Sequence, residues 1–288
     1  MHAFLIQTHI FTAQLATLCK LLNEHGNVYI HVDAKYEDIH HAIKNFVRDE
    51  KLTKITVLED RQKVYWGHYS QLKAIYALLK ESFKNCENKY FTHISGECFP
   101  LKNLSLFITE VNNKNKNLIS YSNQEEMRFR VENLNLFVHS SIFSKKVLIR
   151  KLSFFLGFLL AFFGIKNTTF HGQKIYKGSP WFTLKRETVS WLLNSNIDKK
   201  ISKMDKSVCA DEVFFHTLIA NSIWKKETVS DNLFYIKWTG SKNPLYLKYD
   251  EDFPLDRFWG RKFSMNEKEL IIFLNKYHEI NGKDFVND

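Results

Sequence analysis

Cysteine is scarce in this chain. There are four, Cys19, Cys86, Cys98 and Cys209, and no two form a C-x-x-C pair. That scatter argues against a disulfide framework or a cysteine-built zinc site and suits a reducing compartment. An apolar run long enough to cross a bilayer is also missing: Leu152–Ile165 is about 14 residues, against the roughly 20 that a spanning helix needs. Met1 leads almost directly into Ala3-Phe4-Leu5-Ile6, without a basic segment or an extended apolar core. No signal peptide is therefore read there, and the chain is expected to begin with its first core strand. There is no internal repeat and no low-complexity tract. G-x-G-x-x-G, the Walker phosphate loop, the G-x-S-x-G elbow and H-E-x-x-H are all absent, so the chemistries those motifs carry have no support here.

What is present is ordinary globular material with two biases. The 288 residues are 44% hydrophobic and 25% charged, enough for one large α/β domain or two small ones. Aromatics reach 15%, with 25 Phe, which implies a large core, a stacking site for sugar or base, or surface that meets lipid. Forty-one basic against 31 acidic side chains leave a formal charge of +10. That excess favours an anionic partner such as nucleotide phosphates, nucleic acid or an anionic membrane.

The first half alternates strand and helix. Ala3–Gln7 reads as a buried strand, 12–24 as a helix stopped by Gly26-Asn27, and Val28–Asp33 as the next strand. This βαβ unit implies a parallel sheet with a right-handed crossover. Ile55–Leu58, Tyr90–Ile94 and Leu118–Tyr121 read as further strands. Ser70–Phe83 reads as an amphipathic helix carrying Leu72, Ile75, Tyr76 and Leu79 on one face. Ligands of such sheets bind beyond the carboxyl ends of the strands. Those ends carry Thr8 and His9, Asp33, and Ser95-Gly96-Glu97. Later, Ser179–Leu184 and Leu233–Trp238 read as strands, and 187–193, Asp211–Ile223 and Glu267–Tyr277 as helices. Lys242–Lys262 reads as irregular.

The middle differs. Leu152–Ile165 is apolar around its whole circumference and is flanked by Lys145, Lys146, Arg150, Lys151 and Lys166. It fits a buried core helix, a helix dipping into a membrane interface, or a dimer contact.

Five groupings invite a chemical reading. Asp211-Glu212, within Val208–Phe215, are adjacent carboxylates opening an apolar helix; the pair suits a fixed general base and suits a plain helix start equally well. Asp250-Glu251-Asp252 spells D-x-D but falls in a late loop, where a solvated charge run is the expectation. At the end of the fourth strand, where a metal-binding D-x-D would belong, the chain reads Ser95-Gly96-Glu97-Cys98-Phe99-Pro100-Leu101, with one carboxylate. Divalent metal binding is unsupported there, and a metal-free enzyme handling a diphosphate needs fixed cations such as Arg261-Lys262. His40-His41 is expected to be solvated rather than metal-binding.

The ordered segments Val28–Lys35, Val64–Leu72, Ser95–Leu101, Gly178–Leu184, Ala210–Leu218, Lys237-Trp238 and Trp259–Phe263 resemble the core-2/I-branching glycosyltransferase family, which includes β-1,6-N-acetylglucosaminyltransferases and peptide O-xylosyltransferases. The resemblance covers roughly residues 3–265. It implies a GT-A-type, Rossmann-like, mostly parallel α/β sheet flanked by helices, a UDP-sugar donor, and inverting transfer without a divalent metal or other cofactor. By the same resemblance, Glu212 is the catalytic base and Asp211 its structural neighbour, capping or orienting the helix start. Lys262 takes the diphosphate and Asp33 contacts the nucleotide; Arg261, from the basic pair noted above, and Thr8 and His9, from the strand ends, are added to the donor side. The family's second phosphate-binding cation has no clean match, and Lys248 and Lys242 stand in for it. Trp238 stacks the acceptor sugar, Glu126 and Arg128 lie in an acceptor-binding stretch, and Glu97 and Trp181 join the acceptor side.

The disulfide cysteines and N-terminal anchor of animal members are absent, which favours a bacterial cytoplasmic enzyme, peripheral on the inner face of the membrane. Its acceptor would be a glycan or glycolipid such as lipopolysaccharide or capsule, with 152–165 as the lipid contact. The expected layout is one glycosyltransferase domain over 1–265, an apolar helical insertion at 141–170, and a C-terminal helix and tail over 266–288. A nucleic-acid-binding protein fits the charge and the aromatics, but no basic stripe interleaved with aromatics appears, so no nucleic-acid partner is expected. A non-catalytic peripheral membrane protein fits the apolar run and leaves the seven ordered segments unexplained.

Overall fold

The structure, a computed structural model, describes residues 1–238 and 244–281. It opens with β1 (His2–Thr8), α1 (Ala13–His25), β2 (Asn27–Val32), α2 (Glu37–Asp49) and β3 (Ile55–Val57). Next come α3 (Ser70–Phe83), β4 (Tyr90–Ser95), β5 (Cys98–Pro100), α4 (Leu104–Lys114) and β6 (Asn117–Asn123). Three helices follow, α5 (Phe129–Glu132), α6 (Ser141–Lys145) and α7 (Val147–Phe162), before β7 (Tyr176–Lys185) returns to the sheet. Then come α8 (Arg186–Asn194), α9 (Ile197–Ser202), α10 (Phe214–Ala220), β8 (Thr228–Val229), β9 (Phe234–Ile236), β10 (Trp259–Arg261) and α11 (Glu267–Asn281).

The main sheet has seven strands in the order β3-β2-β1-β4-β7-β6-β8. β1 pairs in parallel with β2 and β4, and β2 with β3, while β7 runs antiparallel between β4 and β6. This is the mostly parallel, helix-flanked α/β sheet expected. Because β1 is covered on both faces, its side chains alternate between two cores. Phe4 and Ile6 enter one with α1, α4 and α11; Ala3 and Leu5 enter the other with α3, α8, α9 and α10. α1 starts where the Thr12 hydroxyl accepts from the Leu15 N–H at 3.2 Å, and it ends before Gly26, as the stop signal implied.

The strand directions bring the functional segments to one edge. The carboxyl ends of β1, β2 and β4 lie together because those strands are parallel. β7 runs the other way, so its first half, Lys177–Trp181, reaches the same edge. At Gly178 a Cβ would come within 1.7 Å of the Ser120 carbonyl, so only glycine permits the close approach of β7 to β6.

A second sheet, β5-β10-β9, has three strands of three residues each. It pairs Arg261 with Cys98 and Trp259 with Pro100, tying a segment near residue 260 to the end of β4. The stretch read as irregular therefore contains a strand. It was illegible because three-residue strands have no periodicity of their own and are held by partners far along the chain.

Two helical expectations change. Asp211–Ile223 is not one helix: Ala210–Glu212 forms a separate 3-10 turn, α10 occupies Phe214–Ala220, and another 3-10 turn runs over Ile223–Glu227. α7 is not a core helix either, since its buried residues are Ser153 and Gly157. α4 was not read from the sequence, and α2 was read only as a helix around His40-His41, without bounds; α2 buries only His40 and Ile43, too few positions to set a period.

Candidate active site

A cleft of about 750 Å³ opens at the sheet edge. Its lining includes Lys177, Gly178 and Trp181 of β7, the Asp211-Glu212 turn, Trp66, Trp238, Arg261 and Lys262. A second depression of about 400 Å³ lies over the ends of the parallel strands, lined by Thr8, His9, Asp33, Lys35, Ser95 and Glu97 among others. Gln7, Trp66, Gln71, Trp181 and Arg261 line both, so the two form one groove with Arg261 at the junction.

Arg261 is held from three sides. Its guanidinium donates to the Ser95 hydroxyl, pairs with Glu97 Oε2 at 3.2 Å, and lies over the Trp181 ring at 4.4 Å. Lys262 Nζ sits over the Tyr246 ring, 4.1 Å from its centroid. Both cations owe their position to the small sheet. Asp33 is buried, and its Oδ1 accepts from the backbone N–H of Lys35 (3.0 Å) and of Val64 (3.2 Å). Lys35 Nζ pairs with Asp33 Oδ2 at 3.2 Å.

At the other end stands Glu212. Its Oε2 is 3.0 Å from Arg130 Nη1 and 3.3 Å from Lys177 Nζ. Both cations hold the same oxygen, and among the described residues Oε1 has no hydrogen-bond partner. The acid pair thus does not open α10; two side-chain cations, rather than that helix's N–H groups, offset the Glu212 charge. Asp211 is the N-cap of neither the turn nor α10, those positions being Cys209 and Val213, and it lines the cleft. Burial, and then the neighbouring Glu212 charge, push its carboxyl up to about 7. Beneath the cleft, burial lowers His93 and His216 to about 4. Both rings are therefore neutral at physiological pH. His93 stacks on Trp181 at 5.0 Å, and His216 Nε2 hydrogen-bonds the Ser179 carbonyl at 2.8 Å.

Most of the residues singled out from the sequence share this groove: Glu212, Lys262, Arg261, Asp33, Thr8, His9, Trp238, Glu97 and Trp181. Glu97 lines the strand-end depression and pairs with Arg261 there. Glu126 and Arg128 are elsewhere. They line a separate depression with Phe129, Phe154 and Phe158. Arg128 is consumed by Glu125 (2.6 Å), Glu132 (2.7 Å) and the Gln173 carbonyl (2.7 Å). Lys248 is exposed and lines neither part of the groove; Lys242 falls outside the described residues.

Arg130 and Lys177 are the residues that sequence reasoning missed. Arg130 belongs to the same E-E-M-R-F-R stretch as Arg128. Two positions along a helix turn a side chain by about 200°, so the two arginines face opposite ways. Lys177 directly precedes Gly178-Ser179-Pro180, and that adjacency was the available signal.

The late D-x-D is drawn into ion pairs, Glu251 with Lys237 at 2.7 Å and Asp252 with Lys276 at 2.9 Å. Glu251 is largely covered rather than solvated. The histidine pair divides as well: His41 is exposed, but His40 is buried with Nε2 donating to the Leu58 carbonyl at 3.1 Å. His40, His41 and Glu37 bring donor atoms within 4.8 Å of one another, although Glu37 Oε2 is already taken by Arg61.

Comparison with known proteins places the chain in a family. A xylosyltransferase of Ciona intestinalis is 21% identical over 290 residues, covering 95% of this chain and 32% of that protein. The chain thus spans about a third of the length of that curated relative. Among solved structures, mannose-1-phosphate geranyltransferase from Thermus thermophilus covers 75% of this chain at 8% identity with a TM-score of 0.37, over 71% of its own length. HddC from Yersinia pseudotuberculosis covers 66% at 11% identity with a TM-score of 0.30, over 79% of its own length. The family model for the Core-2/I-Branching enzyme matches residues 2–258, which take in the whole seven-stranded sheet and stop just before Arg261 and Lys262, and the chain belongs to that family.

Proposed function

We propose that the protein is an inverting glycosyltransferase that moves a sugar, GlcNAc, xylose or another hexose, from a UDP-sugar to a hydroxyl of a glycan or glycolipid, without a divalent metal. The observation that carries this reading is the placement of Glu212 and Arg261-Lys262 in one cleft, with Glu212 Oε2 clamped by Arg130 and Lys177 and Oε1 left free.

The nucleoside would occupy the depression at Asp33, and the diphosphate would meet Arg261 and Lys262. Glu212 Oε1 takes the proton of the acceptor hydroxyl. The acceptor oxygen bonds to the anomeric carbon from the face opposite the nucleotide, and the bond to UDP breaks. The charge that develops on the leaving diphosphate is offset by the two fixed cations, which need no reorganisation at that moment. Trp238, more than half exposed at the cleft mouth, offers its face to the acceptor sugar. Arg130 and Lys177 hold the carboxylate in place.

Four free cysteines support a reducing compartment. They fit a bacterial cytoplasmic enzyme working on a glycolipid such as a lipopolysaccharide or capsule precursor at the inner face of the membrane.

The test is sugar transfer from UDP-sugars in excess EDTA, with Glu212→Gln alongside. The wild type is expected to remain active. The variant should bind UDP normally by calorimetry and lose about 10²–10⁴-fold in turnover. Near-normal turnover in Glu212→Gln would discard Glu212 as base; strict dependence on Mn²⁺ would discard the metal-free reading.

A further inference from the structure

We infer that helix α7 is a docking surface for an anionic lipid bilayer, with the helix lying in the interface. This goes beyond the catalytic reading and does not depend on it. α7 turns its smallest residues inward. Ser153 and Gly157, one helical turn apart, are its buried residues, and a Cβ on Gly157 would stand 3.0 Å from the Leu134 carbonyl oxygen and 3.5 Å from the Asn133 Cβ. The opposite stripe carries Leu148, Phe155 and Phe162 at steps of seven, which are 79%, 61% and 81% exposed. Phe163 and Ile165 continue the apolar surface past the helix end, 72% and 52% exposed. A contiguous face of this kind on a water-soluble surface calls for a cover.

The charge around it selects the cover. No Asp or Glu occurs from Asn133 to Arg186, while Lys145, Lys146, Arg150, Lys151 and Lys166 frame the apolar face. Of the carboxylates nearby, Glu125 and Glu132 are paired with Arg128, Glu132 Oε2 also lies 3.8 Å from Lys166 Nζ, and Glu126 lines the depression beside the helix, which leaves Lys145, Lys146, Arg150 and Lys151 without a carboxylate within 4 Å among the described residues. A second copy meeting this face about a two-fold axis would bring the same lysines with it and no acid from the segment to receive them. Anionic headgroups supply that acid at the level where the lysine heads emerge. α7 has 16 residues, a length of about 24 Å, and no helix among the described residues is long and apolar enough to cross a membrane. The geometry is that of a helix lying in the interface with its apolar face in the acyl boundary.

The experiment is co-sedimentation of the full chain with phosphatidylcholine vesicles made with and without phosphatidylglycerol. Binding is expected to need phosphatidylglycerol and to weaken with salt. The triple variant Leu148→Gln, Phe155→Gln, Phe162→Gln should bind roughly 100-fold more weakly with an unchanged melting temperature, since each side chain is exposed in the free protein. Phe155→Trp should show blue-shifted emission on vesicles and quenching by bromine-labelled lipid, a direct readout that holds even if the triple variant folds poorly. The inference is overturned if the wild type does not sediment with phosphatidylglycerol vesicles, if the triple variant binds like wild type, or if the emission of the Phe155→Trp variant ignores lipid. It is overturned in favour of a second copy if the wild type is a dimer that the triple variant makes monomeric while neither binds vesicles.

Discussion

Helices α3 and α7 are similar in length, 14 and 16 residues, and both carry a strong apolar stripe, yet they turn opposite sides to the protein. α3 buries Leu72, Ile75, Leu78 and Leu79 against the sheet. α7 fully buries only a serine and a glycine, half-buries Phe154 against Phe129 and Phe143, and leaves Phe155, Phe158 and Phe162 outside. The difference lies in what each can pack against. A sheet face offers a broad apolar surface that large side chains fill. The Asn133-Leu134 segment offers a backbone ridge, which only small side chains can approach. The lesson is that an apolar helix does not announce its inward face by hydrophobicity alone; the position of its small residues matters as much.

The largest expected effect tests the α3 side. Leu78→Ala removes a fully buried side chain from the sheet core, and urea unfolding should show a loss of about 2–5 kcal/mol. A loss no larger than that of an exposed site on α7 would break the contrast. Next, Gly157→Leu forces a side chain into the Leu134 backbone. It should cost about 1–3 kcal/mol and release α7 from its seat, read as faster hydrogen exchange over 147–162 with the sheet unaffected.

A third expectation concerns pH. α3 packs on the Ala210–Glu212 turn, which carries the raised Asp211 carboxyl. In the fold Asp211 holds its proton up to about pH 7, but in the unfolded chain only to about pH 4. Its stabilising contribution is complete below about pH 4 and is lost as pH rises through about 7. Asp211→Asn should flatten that part of the stability profile and gain on the order of 1 kcal/mol at pH 8, after discounting for the solvent that reaches the cleft. An unchanged profile would remove Asp211 from the account. The smallest effect belongs to the exposed stripe: Phe155→Gln should move stability by less than about 0.5 kcal/mol. A larger loss would mean that the face is covered in solution.

Much of the strand-end half of the groove was legible because parallel strands gather their carboxyl ends at one edge. Thr8, His9 and Asp33 follow from βαβ alternation alone. Arg261 and Lys262 were named from sequence, but their meeting with Ser95 and Glu97 depends on β5 and β10, whose pairing joins segments far apart along the chain. Glu212 was named too, while its clamp was not. Arg128 was preferred to Arg130 because a short motif does not reveal which way each residue of a one-turn helix points, and Glu126 and Arg128 proved to face α7 instead of the cleft.

The sequence by itself determined the mostly parallel sheet, the basic and aromatic character of the groove, and the apolar run at 152–165. These are properties of composition and local period, which survive without knowledge of neighbours. Only the tertiary structure decided that Glu212 is held by Arg130 and Lys177, that Asp211 is a crowded carboxyl titrating near neutrality, and that the apolar run faces outward. Each depends on which distant segment arrives beside it, and ion pairing, burial and packing are set by that arrival.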